Sequence, residues 1–102
     1  LGFHAEQIYE KVRETWILEQ TRICLDEMPF GAFMEIEGAP ADIRKAVGLL
    51  GLTWSERILC NYLQMFETIK TGEKLPFTDV TFENFTGVRV DLTRYLPSFF
   101  AG

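Results

Sequence analysis

The sequence predicts an α+β fold in which an antiparallel sheet precedes packed helices. Two runs that alternate apolar with polar residues, Gln20–Glu27 and Ala32–Glu37, are separated by the turn-forming Met28-Pro29-Phe30-Gly31. Two later segments carry apolar residues at helical spacing, and strands followed by helices is the order expected of α+β domains.

The segment Ile8–Leu18 comes first. Lys11, Arg13 and Thr15 share one parity and Val12, Glu14 and Trp16 the other, which fits a strand. Glu10, Lys11, Arg13 and Glu14 are good helix formers, so a helix competes here. In the next run Thr21, Ile23 and Leu25 take one side and Arg22, Cys24 and Asp26 the other. Pro29 and Gly31 suit a turn longer than the tightest two-residue type. The third run sets Phe33, Glu35 and Glu37 against Ala32, Met34 and Ile36, completing a hairpin. Gly38-Ala39-Pro40 ends the sheet section.

Asp42–Leu50 places Ile43, Ala46, Val47 and Leu50 on one helical face, stopped by Gly51. A second helix is expected from an N-cap at Ser55 to Gly72, with Ile58, Leu59, Tyr62, Leu63, Phe66 and Ile69 as its apolar stripe. Beyond it, Val80/Phe82 and Val88/Val90 suggest two short strands or extended loops. Leu92–Phe100 suggests a final turn broken by Pro97.

The 102 residues suit one domain or part of one, and nine Phe among a 47% hydrophobic composition supply a modest core. Phe66, Phe77, Phe82, Phe85, Phe99 and Phe100 are expected there. A net charge of −5 argues against a nucleic-acid surface, yet a few converging cations suffice for a small anion. Cys24, Cys60 and the single His4 lack zinc-site spacing, and two free buried thiols are expected. No apolar run approaches the roughly 20 residues of a membrane span, and a cytoplasmic location is expected. The first residue is Leu1 rather than Met, so the coding sequence is expected to extend upstream.

Parity gathers Lys11, Arg13, Arg22, Asp26, Glu35 and Glu37 on one sheet face. Same-parity neighbours stand about 6.6 Å apart, so Lys11 and Arg13 can reach adjacent phosphoryl groups. Asp26, Glu35 and Glu37 are hard oxygen donors of the kind that hold Mg2+ or Mn2+. An ordinary solvated face, with cross-strand pairs such as Arg22 with Glu35, fits the same pattern.

The order of Arg13–Trp16, Ile23-Cys24-Leu25-Asp26-Glu27 and Gly31-Ala32-Phe33-Met34-Glu35-Ile36-Glu37 resembles the second half of a CYTH domain. This triphosphate tunnel family includes class IV adenylate cyclases and thiamine triphosphatases, and the likeness extends over roughly Tyr9 to Phe66. It implies part of an eight-stranded antiparallel barrel whose lumen binds a nucleoside, thiamine or inorganic triphosphate with Mg2+ or Mn2+. By the same resemblance Lys11 and Arg13 would bind triphosphate oxygens, Asp26 would orient the cations or water, and Glu35 and Glu37 would hold metal, assisted by Asp26.

The implied reaction is hydrolysis of a terminal phosphoryl group or cyclisation of ATP. The family's first-strand Glu-x-Glu-x-Lys has no counterpart, and Glu35-Ile36-Glu37-Gly38 lacks its final Lys. The implied barrel therefore needs a missing N-terminal half or a second copy in a homodimer. A non-catalytic polyphosphate-binding or protein-assembly module is the competing expectation.

Overall fold

The computed structural model describes residues 7–100. Strands β1 (Val12–Leu18), β2 (Thr21–Met28) and β3 (Gly31–Glu37) form a meander in the order β1-β2-β3, both pairings antiparallel. Helix α1 (Pro40–Leu49) follows, then a 3-10 turn at Trp54–Glu56 and helix α2 (Tyr62–Glu73). A tail of turns leads to a second 3-10 turn, Leu92–Arg94, and the single-turn helix α3 (Leu96–Phe99). The α+β class holds, and the three-stranded sheet is open at both edges.

The strand expected over Ile8–Leu18 begins only at Val12, because the preceding residues pair elsewhere. Tyr9 forms a parallel bridge with Val80, in which Glu10 N donates to Val80 O and Val80 N donates to Ile8 O, both at 2.8 Å. The Glu10 carboxylate also accepts from Phe82 N at 3.0 Å. Of the strands expected in the tail, Val80 contributes this bridge alone. The register pairs Met28 with Gly31, leaving Pro29-Phe30 as a two-residue connection shorter than expected. Pro29 pre-sets its own φ, and Phe30 anchors the turn by burying its ring among Phe33, Phe66 and Phe85.

Helix α1 starts at Pro40, whose missing N–H costs nothing in a first turn, and Gly51 just beyond it adopts φ +69°. Helix α2 starts seven residues later than Ser55. Asn61 caps it, its side chain accepting from Gln64 N while the Gln64 side chain accepts from Asn61 N, both at 2.8 Å. This reciprocal capping box satisfies two otherwise orphaned donors, so the helix begins there despite the apolar residues upstream. Ile58 instead bridges Phe100, and Leu59 is exposed. Gly72 does not end α2; it lies inside the helix, where a Cβ would overlap the Tyr95 ring. Pro97 falls in the first turn of α3 and starts that helix rather than breaking it.

One core joins the Met28 end of the sheet to α2 and the tail: Met28, Phe30, Tyr62, Met65, Phe66, Ile69, Val80, Phe85, Tyr95 and Phe99 are buried. Phe77 packs against it, whereas Phe82 stays 39% exposed. Cys24 and Cys60 are both free, the first buried and the second half-buried. His4 lies outside the described residues. No helix among the described residues is long and apolar enough to cross a membrane.

Candidate functional site

The register fixes which side chains share a face. Arg13 opposes Asp26, Thr15 opposes Cys24 and Ile17 opposes Arg22 across β1 and β2. Across β2 and β3, Arg22 opposes Glu37, Cys24 opposes Glu35 and Asp26 opposes Phe33. Arg13, Arg22, Asp26, Glu35 and Glu37 therefore stand on one face, as parity requires. Lys11 lies one residue ahead of β1. The Met28 end of this face is roofed by α2, through the contact of Tyr62 with Asp26 and Phe33.

Asp26 is the centre of the arrangement. Its side chain is fully buried. Arg13 grips it with two charge-assisted hydrogen bonds, Nε to Oδ1 at 2.6 Å and Nη2 to Oδ2 at 2.7 Å. The Tyr62 hydroxyl donates to Oδ2 at 2.7 Å, and Lys11 Nζ stands 3.9 Å from the same oxygen. The Arg13 hydrogen bonds hold the Asp26 carboxyl below its usual range, with Tyr62 reinforcing them against the opposing effect of burial. Burial and the Asp26 contact push the Tyr62 phenol up, so it remains a neutral donor.

Arg13 also reaches β3, donating from Nη2 to Glu35 Oε2 at 2.9 Å. Its Nη1 has no hydrogen-bond acceptor among the described residues. The Lys11 ammonium lies 5.9 Å from the centroid of the Tyr9 ring and 5.5 Å from that of Tyr62, an aromatic flank suited to a cation. Arg22 pairs with Glu37 at 3.9 Å rather than with Glu35, because the register sets Glu35 opposite Cys24.

The six sequence-predicted residues thus divide. Lys11, Arg13, Asp26 and Glu35 form one connected cluster, while Glu37 belongs with Arg22 at the open end of the face. No three acidic, His or Cys side chains converge on a point among the described residues. Both Asp26 oxygens are already filled by donors, and Glu35 and Glu37 each face a guanidinium. A divalent cation on Asp26 would have to displace Arg13, and Glu37 stands apart with Arg22, so the residues as arranged do not fit one.

Sequence reasoning placed Tyr62 in an apolar stripe and missed its hydroxyl as the third donor to Asp26. Its signal is the polar tip of a Tyr at the first position of α2, where the side chain can lean toward the sheet. The aromatic flank from Tyr9 went unread because its placement depends on the long-range bridge to Val80. Comparison with protein-family models, curated proteins and solved structures finds no match.

Proposed function

We propose that this chain supplies one wall of a CYTH-type triphosphate-binding site, completed when further strands pair with the open edges of its sheet. Arg13 carries the reading. Asp26 fixes its guanidinium by two hydrogen bonds while Nη1 keeps its donors uncommitted among the described residues. A guanidinium already ordered in this way loses little further freedom on binding a phosphate. Lys11 adds a second cation beside it, held by rings and a 3.9 Å carboxylate contact rather than by a hydrogen bond.

The ligand class is a nucleoside, thiamine or inorganic triphosphate whose phosphoryl groups meet Lys11 and Arg13. Lys11, Arg13 and Arg22 are balanced by Asp26, Glu35 and Glu37, so this wall brings no excess positive charge. Tight retention of a polyanion requires more cations from the opposite wall. Hydrolysis of a terminal phosphoryl group is favoured over cyclisation, which also needs ribose and base positioning. Catalysis belongs to the completed assembly, because positioning reactants requires both walls.

Calorimetric titration of the full chain with inorganic tripolyphosphate, in EDTA and then in MgCl2, tests the reading. Weak binding that persists in EDTA, is reduced by Lys11→Met and is strengthened by Glu35→Gln is expected, since Glu35 competes for Arg13. Absence of binding to folded protein at millimolar ligand, or strengthening by Lys11→Met, overturns it. A homodimer joined through the sheet edges is the simplest source of the further strands, and sedimentation velocity reads it directly.

A further inference from the structure

The opposite face of the sheet is differently built. Its rows are Val12, Glu27 and Ala32; Glu14, Leu25 and Met34; and Trp16, Ile23 and Ile36. Helix α1 packs near Leu18 and Thr21, at the far end of this face, where Thr21 and Ile23 are 4% and 6% exposed. Beyond that cover, Val12, Leu25 and Met34 remain 60%, 38% and 43% exposed, and Trp16 is 57% exposed. Val12, Glu14, Leu25, Glu27, Ala32 and Met34 line an open groove of about 470 Å3.

Two features of the groove define what fits it. Three strands spaced about 4.8 Å apart give a floor roughly 10 Å across, the diameter of one α-helix with its side chains. Glu14 and Glu27 lie on a cross-strand diagonal, about 7–8 Å apart at the backbone, and neither forms an ion pair among the described residues. The apolar floor therefore carries two uncompensated carboxylates. Stacking a second copy face to face would set Glu14 and Glu27 against the same acids with no cation of this face to offset them.

We propose that this face docks an amphipathic helix of a partner protein. The helix seats an apolar stripe on Val12, Leu25 and Met34 and pairs Lys or Arg at its margin with Glu14 and Glu27. Complementary charge would guide the encounter and set the orientation, while the apolar floor supplies the contact area. This inference is independent of the triphosphate reading, which concerns the other face.

The probe is a labelled Leu/Lys amphipathic peptide of about 14 residues, roughly 21 Å long as a helix, with a Leu/Glu peptide of the same stripe as its counterpart. Anisotropy titration of the full chain is expected to favour Leu/Lys over Leu/Glu. Amide shifts should fall on Val12, Glu14, Leu25, Glu27 and Met34. Glu14→Lys combined with Glu27→Lys should weaken the Leu/Lys peptide by about tenfold and favour Leu/Glu. Control changes at the exposed Glu56 and Glu67 should move neither. Glu14→Gln with Glu27→Gln gives an intermediate affinity and guards against misfolding of the reversed pair.

A footprint on Glu35 and Glu37, or a charge reversal that leaves the preference unchanged, overturns the proposal. So does concentration-dependent self-association mapped to Leu25 and Met34, which identifies a second copy. Insertion of Trp16 into phosphatidylcholine vesicles without peptide binding overturns it equally, identifying a lipid surface.

Discussion

Replacing Arg13 by Met removes both charge-assisted bonds from a carboxylate whose side chain is fully buried. What remains to Asp26 is the Tyr62 hydroxyl at 2.7 Å and Lys11, 3.9 Å away. Breaking a buried pair by deleting one partner costs about 3–5 kcal/mol, because the other charge is left without compensation. Lys11 can close on Asp26, so Arg13→Met belongs near the lower end, about 3 kcal/mol. Asp26→Asn strands the opposite partner, but the Arg13 side chain is 30% exposed and keeps Glu35. Water can reach that guanidinium, and the loss falls to about 2 kcal/mol. Urea unfolding followed by Trp fluorescence measures both, with an unchanged slope showing that the change lies in stability. A loss below about 0.5 kcal/mol for Arg13→Met, or a larger loss for Asp26→Asn than for Arg13→Met, refutes Asp26 as the buried centre of the face.

Three further perturbations address neighbouring parts of the account. Because the folded Asp26 pKa lies below its ordinary value of 3.8, its contribution is present in full above about pH 4 and is lost as pH falls through the lower, folded value; acid unfolding monitored by circular dichroism should therefore show a shallower decline in Asp26→Asn. Asn61→Ala removes half of the α2 capping box and should cost about 1 kcal/mol in urea unfolding, with faster amide exchange confined to the first turn. Gly72→Ala drives a methyl group into the Tyr95 ring and should cost about 1–3 kcal/mol, whereas the same change at Gly48, which faces open space, should stabilise α1 slightly.

The charged face was legible because strand parity is a local property. Within each strand, alternation separates Arg13 from Val12, Asp26 from Leu25 and Glu35 from Met34 whatever the remainder of the chain does, and the observed registers bring the three to one face. Parity does not give register, and the expected Arg22–Glu35 pair failed for that reason: with Met28 opposite Gly31, Glu35 faces Cys24 and Arg22 faces Glu37. The start of α2 was hidden by Ile58 and Leu59, which continue a helical period, although Asn61 and Gln64 carry the capping signal three residues apart. In the tail, Val80 alternates like a strand residue but finds its partner at Tyr9, a pairing that no local pattern encodes. Tyr62 was readable as core but not as a donor, since its partner Asp26 lies 36 positions earlier in the chain.

The most direct test observes the two cations themselves while ligand is added. Nitrogen-detected NMR of Arg and Lys side chains, during titration of the full chain with inorganic tripolyphosphate, should shift the Arg13 guanidinium and the Lys11 ammonium together. Arg57 and Arg94, which lie outside the charged face, should stay in place. Shifts confined to those outlying cations, or no shift at Arg13 and Lys11 at millimolar ligand, would contradict the claim that this face is one wall of a triphosphate site.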